Sequence, residues 1–255
     1  MVDSHRSYIE LFQLYLDRAQ ATIKKVGFLK VLEIEEYVAH GRRQIDQIRR
    51  RVLNDEKIPH AEKVFSIFEE HTEWICKGKA GVPQELGLKV CVVEDQHQFI
   101  LHHRVMENET DDNVAVGVIE NTKTDFPNLI SCSFDKGFYT PYNRRKLSKL
   151  LKNVILAKKG RLSLIDKEIE NSEDFVYGRR KHSGVESAIN ARGNHGLDRY
   201  RDHGIYGFKR YVALGILSRN IQTLGNIIQK QKFKSVTRNM KIRQTKERLK
   251  CPPAA

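Results

Sequence analysis

The stretch LKVCVVEDQHQFILHHRVM, residues 88–106, decides the fold. It holds two short runs of β-branched and other apolar residues, 88–95 and 98–106, with a polar turn between them. Runs of this length and composition that are joined by a polar turn are typical of paired strands. The stretch therefore predicts a β-hairpin, and the rest of the chain can be interpreted outward from it.

Helical and strand patterns alternate after the hairpin. A helix is predicted after Thr110, which is a signal for a helix N-terminus. Apolar and small residues recur there at four-residue steps, namely Val114, Val118 and Thr122. The next patterns predict a strand, a helix and a strand over 129–134, 141–152 and 153–160. Hairpin strands pair antiparallel, whereas the later strands need helical crossovers and pair in parallel. The order therefore predicts an α/β domain with a mixed sheet flanked by helices.

The chain before the hairpin is predicted to be a helical N-terminal region over residues 1–80. An amphipathic helix is expected over 4–25, because apolar residues recur there at three- and four-residue steps: Ile9, Phe12, Leu16, Ala19 and Ile23. A second helix is predicted over 29–53, and a short helical segment runs from Pro59 to Phe68. The loop-rich sequence GKAGVPQELG then separates this region from the hairpin.

The α/β domain is predicted over residues 81–228, followed by a basic tail over 229–255. Residues 161–180 are charged and weakly periodic, which indicates an insertion or a long connection. Helices are predicted around Val185 and over 208–228. The second of these is apolar nearly all round in YVALGIL, so we expect it to be buried. We expect the tail, with its many lysines and arginines, to be disordered or an altered C-terminus.

The composition favours a polyanionic partner. The 255 residues carry 45 Lys and Arg against 32 Asp and Glu, a formal net charge of +13. Basic proteins bind nucleic acids because neutralising phosphates releases counterions. No stretch approaches the roughly 18 apolar residues of a membrane span, and the start lacks the features of a signal peptide. The four cysteines fall singly, without zinc spacing, so we expect reduced thiols in a cytoplasm and no membrane partner.

Three acidic residues stand out by their positions. Asp95 closes the first predicted strand, Asp135 closes a later one, and Glu186 lies in the predicted helix HSGVESAIN. Strand ends in an α/β sheet line the crevice where ligands bind. Two such aspartates and a helical glutamate can hold two divalent cations, which activate a water or hydroxyl at a phosphodiester.

Each acid also has a structural alternative. Asp135 precedes Lys136 and Gly137, so it can be a turn residue, and Asp95 can be the acid of a hairpin turn. Its neighbour Glu94 faces the other side of the strand, so choosing between them depends on the register. Glu186 shares a helix face with His182 and Asn190 at four-residue spacing, so it can instead be a member of a local side-chain pair.

Several blocks of the chain resemble the catalytic half of DDE transposases of bacterial insertion sequences, the ISNCY-like group. The resemblance covers roughly residues 60–228. It is carried by four blocks: SIFEEHTEWICKGKAG, ELGLKVCVVEDQHQFILHHRVM, SCSFDKGFYTPYNRRKL and HSGVESAIN with NHGLDR and HGIYGFKRYVALGILSRN. The last of these is the most specific. The family implies an RNase H-like fold with catalytic acids on the first strand, in an Asp-(Lys/Arg)-Gly-(Phe/Tyr) motif and on a C-terminal helix.

The resemblance assigns the metal ligands and catalytic acids to Asp95, Asp135 and Glu186. It implies two Mg²⁺ or Mn²⁺ ions, cleavage of transposon ends and strand transfer into target DNA, with no covalent protein intermediate. A homo-oligomer on double-stranded DNA, associated with the bacterial nucleoid, is implied as well. DNA phosphates near the cut would be held by basic residues and one histidine, namely Lys136, Lys158, Lys159, Arg179, Arg180, Lys181 and His182.

The chain also departs from the family pattern. It begins without the N-terminal DNA-reading region of complete members, and Gly193, Arg201 and Tyr206 differ from the residues expected there. A truncated or inactive copy, or a DNA-binding relic without turnover, therefore stays open beside an active transposase. A stand-alone RNase H-like nuclease is a third alternative.

Overall fold

The computed structural model of the chain describes residues 2–26, 32–59, 62–76, 84–181 and 202–250. The architecture is mixed α/β, mainly helical with small sheets and an N-terminal helix. The chain divides into two compact units. One comprises the residues up to Lys89 with His203–Tyr206, and the other comprises Val90–Asp202 with the residues from Gly207 onward.

The first unit begins with two helices whose apolar faces pack together. Its elements are α1 (Val2–Ile23), α2 (Leu32–Ile48), a π-helical turn (Arg49–Leu53), β1 (Glu73–Cys76) and β2 (Gln84–Gly87). Ile9 and Leu16 of α1 are buried with Val38 and Ile45 of α2. Phe12, Ala19 and Ile23 pack against the same cluster, so the apolar stripe that predicted α1 is confirmed as its packing face.

The prediction of a short helix between Pro59 and Phe68 is wrong, because residues 63–68 are not helical. Gln47 of α2 holds this segment in place: its side-chain Oε1 accepts from Val64 N over 2.7 Å, and its Nε2 donates to Val64 O over 3.2 Å. These bonds satisfy backbone groups that a helix would have paired internally. Beyond this segment β1 and β2 form an antiparallel pair, which the sequence did not predict.

The second unit contains the predicted alternation of strands and helices. Its elements are β3 (Lys89–Glu94, with Lys89 in the first unit), β4 (Ile100–Met106), α3 (Asp111–Asp125), β5 (Ser131–Phe134), α4 (Pro141–Leu150), β6 (Asn153–Leu156), α5 (Leu164–Asn171), α6 (173–181) and α7 (Gly204–Lys250). The hairpin β3–β4 is confirmed, and so is the parallel pairing of β5 with β6 across α4. In the described residues these are separate two-stranded sheets.

Helices pack on the two opposite faces of the strands. Cys91 and Val93 of β3 pack with α3, and Cys132 and Phe134 of β5 pack on the cluster that α3 and α4 form. The alternate residues Val90 and Val92 pack instead with α7, through Val212 and Ile216. Because successive side chains of a strand point to opposite faces, this packing fixes the direction of every residue along β3 and β5.

Residues 161–180, which were predicted to be an insertion or a long connection, contain α5 and most of α6. The N-terminus of α5 is a capping box: Ser163 Oγ accepts from Asp166 N, and Asp166 Oδ2 accepts from Ser163 N. Phe175 of α6 is buried. Gly178 lets α6 approach β6 closely, because a Cβ there would lie 2.6 Å from Ile155 Cγ1.

The last helix differs from its prediction in burial and in length. Only one side of α7 is buried, whereas apolar side chains are exposed on the other side: Leu214, Leu217, Ile221, Leu224 and Ile228. The expected full burial is therefore wrong. The helix also extends over 47 residues, from Gly204 to Lys250, so the described part of the basic tail is helical.

Candidate functional site

A cleft of about 930 Å³ lies between β3 and β5 in the second unit. Residues 91–95 of the first strand and 131–135 of the second line it, together with residues of α3 and α6. Its acidic lining residues at the strand ends are Glu94, Asp95 and Asp135. The structure therefore brings the ends of two strands that are far apart in sequence to one cavity.

Asp135 lies at the end of β5, where the chain enters a 3₁₀ turn over Lys136–Phe138. It is exposed, and its backbone carbonyl accepts from Phe138 N over 3.1 Å. The turn packs closely on the start of α3, since a Cβ at Gly137 would lie 2.6 Å from Asp111 Oδ2. A larger residue at position 137 would therefore displace the Asp111 carboxylate from the turn that presents Asp135.

A buried amide holds this turn from the other side. Asn143 of α4 is 3% exposed, and its Nδ2 donates to Phe138 O over 2.9 Å and to Asp112 O over 2.6 Å. One side chain thus ties together the turn after β5, the start of α3 and α4. Asn143 was not identified from the sequence, because a single Asn in a helix has no pattern that marks such contacts.

Asp95 lies in the turn between β3 and β4 and takes part in it. Its Oδ1 accepts from His97 N and from Phe99 N, each over 2.8 Å. The backbone closes the same turn, with Asp95 N donating to Phe99 O over 2.9 Å. The structure thus gives Asp95 the contacts of a hairpin-turn acid, the alternative that the sequence left open.

Strand alternation places Glu94 on the same face as Asp135. Cys91 and Val93 face α3, so Glu94 faces the opposite side, which is the side of α7. Cys132 and Phe134 also face α3 and α4, so extending the alternation of β5 places Asp135 opposite them. Glu94 therefore shares the orientation of Asp135, and one of its carboxylate oxygens, Oε2, is buried. These contacts fix the register of β3, on which the choice between Asp95 and Glu94 depends.

Glu186 and His182 lie outside the described residues. Within the described part of the chain, no group of three or more His, Cys, Asp or Glu side chains is placed to hold a metal ion. The convergence of all three predicted acids stays a prediction, since only the two strand-end acids can be located. The described helices include none that is long and apolar enough to cross a membrane.

Three of the predicted basic residues lie at or beside the cleft. Lys159 Nζ donates to Gly137 O over 2.7 Å, in the turn that follows Asp135. Lys181 lines the cleft and lies over the ring of Tyr177, 4.8 Å from its centroid. Lys136 follows Asp135 directly and is exposed. Arg179 and Arg180 are exposed on α6 near Lys181.

Lys158 belongs instead to a partly buried ion-pair network around Asp166. Its Nζ donates to Asp166 Oδ2 over 2.5 Å, and Arg144 donates to Asp166 Oδ1 over 2.8 Å. Lys158, Ser163 and Arg144 together hold the pKa of Asp166 well below its usual range. The spacing of Ser163 and Asp166 is a capping-box pattern that could have revealed this helix start from the sequence.

The cleft also contains two thiols, Cys91 and Cys132. Burial raises the pKa of Cys132 to about 12, and the nearby Cys91 adds to the shift. A thiol with such a pKa is protonated at neutral pH and is a poor nucleophile or metal ligand. Cys132 is therefore unsuited to nucleophilic chemistry in the cleft at neutral pH.

Comparisons of the chain with protein-family models, with curated proteins and with solved structures found no match.

Proposed function

We propose that the chain is a DDE-type transposase that cuts and joins DNA at the cleft between β3 and β5. The observation that carries the proposal is that acidic side chains at the ends of both strands line one cavity. This cavity lies in a chain whose net charge of +13 attracts DNA. The RNase H-like arrangement of the strands is part of the proposal.

The carboxylates of the cleft fit divalent cations by donor type. Mg²⁺ and Mn²⁺ prefer carboxylate oxygens, which Asp135 and either Glu94 or Asp95 would provide. Glu186 is the third proposed ligand and enters through the sequence resemblance. Two bound cations would supply activation of the attacking oxygen and stabilisation of the leaving oxygen.

The proposed reaction has two balanced steps. In the first, water attacks a phosphodiester at a transposon end, one P–O bond forms and another breaks, and a 3′ hydroxyl and a 5′ phosphate result. In the second, that 3′ hydroxyl attacks a phosphodiester of target DNA and releases a target 3′ hydroxyl, so the number of phosphodiesters is unchanged. No covalent protein intermediate is needed in either step.

The protein would position DNA through basic groups beside the carboxylates. Lys159 and Lys181 lie close enough to the strand ends to bind phosphates around the cut. The other proposed phosphate contacts are Lys136, Arg179, Arg180 and His182. Lys158 is left out of this set, because Asp166 binds its ammonium group. Assembly into a homo-oligomer on the transposon ends, in the nucleoid, completes the proposal.

A DNA-binding relic without turnover is a second candidate. It is favoured by the two hydrogen bonds that Asp95 Oδ1 accepts within its own hairpin turn. If Asp95 is a turn residue, the first ligand would have to be Glu94. Its side chain is longer than that of Asp95, so its carboxylate would bind a cation at a different distance from the strand. The two candidates differ in whether DNA is cut, so a cleavage assay separates them.

The test is Mg²⁺-dependent nicking of a labelled duplex that carries the inverted repeat flanking the coding region. We expect nicking by the unaltered protein and none by Asp135→Asn. Comparing Glu94→Gln with Asp95→Asn identifies the ligand on β3, since only the true ligand abolishes nicking. Asp174→Asn is the matched control, because it removes another carboxylate that lines the cleft.

Three results would count against the transposase. Nicking that survives in Asp135→Asn would remove Asp135 from the reaction. Equal nicking of a duplex without the repeat would indicate a nuclease of broader substrate range. DNA binding without any nicking would favour the relic.

A further inference from the structure

The C-terminal half of α7, residues 229–250, is a helical arm. The last buried side chain described on this helix is Thr223. From residue 229 to residue 237 every side chain is exposed, while the backbone stays helical to Lys250. At 1.5 Å per residue the arm is about 33 Å long, close to one turn of B-form DNA.

The arm concentrates the positive charge of the protein. It carries nine basic residues and one acidic residue, Glu247, which leaves +8 of the total of +13 on this segment. The basic residues are Lys230, Lys232, Lys234, Arg238, Lys241, Arg243, Lys246, Arg248 and Lys250. So much like charge on one helical segment is unfavourable without a polyanion, because like charges one turn apart repel.

The charge is not confined to one stripe of the helix. Lys230 and Lys234 are about one turn apart and share a side, whereas Lys232 is about 200° from Lys230 and lies on the opposite side. All three side chains are exposed. A helix with lysines on two opposite sides can approach two rows of phosphates at once.

Duplex DNA has this geometry. The major groove of B-form DNA is about 12 Å wide and admits an α-helix between two phosphate backbones. The major groove of A-form RNA is too deep and narrow for side chains to enter. We propose that the arm binds in the major groove of duplex DNA and contacts phosphates on both sides through its lysines and arginines. The proposal goes beyond the cleft and requires no catalysis there, and it shares with the proposed function only the choice of DNA as polyanion.

The apolar residues of the arm do not favour a membrane surface. Phe233, Val236 and Met240 are exposed at helical spacing, but the lysines lie on both sides of the helix and not opposite one broad apolar face. Helices that lie in a membrane interface need a large apolar face of that kind. Phosphate neutralisation through counterion release needs no such face and accounts for the charge that the arm carries.

The proposal is tested with the full chain and a labelled DNA duplex of arbitrary sequence. The triple variant Lys230→Gln, Lys232→Gln, Lys234→Gln removes three charges from described, exposed positions of the arm. The matched control is Arg18→Gln, Lys24→Gln, Lys25→Gln, which removes three exposed charges from α1 and the residues after it. Kd is measured by fluorescence anisotropy from about 50 to about 200 mM salt, the range in which phosphate neutralisation dominates binding.

We expect the arm variant to weaken DNA binding at least about tenfold. Its slope of log Kd against log salt should fall by about 2.7, because each phosphate that is no longer neutralised lowers the slope by about 0.9. The control should change Kd by less than about threefold, since net charge alone has a weak, delocalised effect. A chain ended at Ile228 should bind DNA more weakly still, and its unchanged thermal midpoint would show that the arm is not needed for folding.

Several outcomes would overturn the proposal. These are equal losses of affinity in the arm and control variants, undiminished binding by the chain ended at Ile228, equal affinity for duplex RNA, and preference for anionic vesicles over DNA. Failure of the transposase would be visible separately as absent nicking with arm-dependent binding intact. Asp135-dependent nicking with arm-independent binding would overturn this proposal alone.

Discussion

The side-chain amide of Asn220 on α7 pairs with the backbone of Ile100 on β4 through both of its polar atoms. Ile100 N donates to Asn220 Oδ1 over 2.9 Å, and Asn220 Nδ2 donates to Ile100 O over 3.0 Å. The amide thus supplies the two hydrogen bonds that a neighbouring strand would supply. Because Ile100 itself is buried against Val212 and Ile216, this pairing fixes α7 on the hairpin in the second unit.

Replacing Asn220 should destabilise the protein. In Asn220→Ala both backbone groups of Ile100 lose their partner, and an unsatisfied buried polar group costs about 1–3 kcal/mol. Asn220→Asp keeps an acceptor but places a carboxylate beside the carbonyl of Ile100, so we expect a comparable loss of stability. Urea unfolding measures the change, with Asn226→Ala, an exposed amide on the same helix, as the control. Equal midpoints for all variants would show that the pairing contributes nothing.

A side chain at position 178 should be poorly tolerated. The Cβ of Gly178→Ala would lie 2.6 Å from Ile155 Cγ1, so α6 or β6 must shift, at a cost of about 1–3 kcal/mol. Gly225→Ala on α7 is the matched control, because its Cβ would meet nothing within 4 Å. That substitution should stabilise the helix by about 1 kcal/mol.

Thermal unfolding of the two alanine variants tests this difference. If Gly178→Ala raises the midpoint as Gly225→Ala does, the close approach of α6 to β6 is absent. The double variant Gly178→Ala, Ile155→Ala should cost less than the sum of the single changes, since removing the Ile155 side chain makes room for the new methyl group.

Acid should weaken the network around Asp166. Lys158, Ser163 and Arg144 lower the pKa of this carboxyl in the folded protein. A group whose folded pKa lies below its unfolded value of about 4 stabilises the protein above that value and loses this contribution as the pH falls towards the folded pKa. We therefore expect stability to fall below about pH 5, and to fall less steeply in Asp166→Asn, which has no carboxylate to protonate.

Urea midpoints between neutral pH and about pH 3 measure this dependence. Asp166→Asn should also be less stable than the unaltered protein at neutral pH, because it leaves Lys158 and Arg144 without their carboxylate. Glu168→Gln, on the exposed side of the same helix, is the control and should leave the profile unchanged. Parallel profiles for Asp166→Asn and the unaltered protein would contradict the expectation.

Cys132 should react slowly with alkylating agents. Its pKa of about 12 leaves very little thiolate at pH 8, whereas an ordinary cysteine has a pKa of about 8.5. We expect iodoacetamide to modify Cys132 at least about a hundredfold more slowly than the exposed Cys76. Mass spectrometry of peptides from a quenched time course gives both rates. Similar rates at the two cysteines would mean that Cys132 is not held in an environment that suppresses its thiolate.

The sequence predicted those elements whose pattern is set by near neighbours in the chain. The stripe from Ile9 to Ile23 predicted α1 and its packing face, and the runs around the polar turn predicted β3 and β4. The parallel pairing of β5 and β6 followed from the helix between them. For residues 161–180 the sequence predicted an insertion or a long connection and no helices, whereas the structure forms α5 and most of α6 there, with α6 held against β6 by the close approach of Gly178 to Ile155.

At the candidate site, the sequence alone could place an acid at the end of each strand but could not say which way it points. The direction of each acid depends on which residues of β3 pack against α3 and which pack against α7. Only tertiary packing decides this, because a strand pattern is symmetric between its two faces until helices cover them. The charge of the C-terminal helix can likewise be read from the sequence, whereas the exposure of residues 229–237 follows from α7 extending past Thr223, the last residue described as buried on this helix.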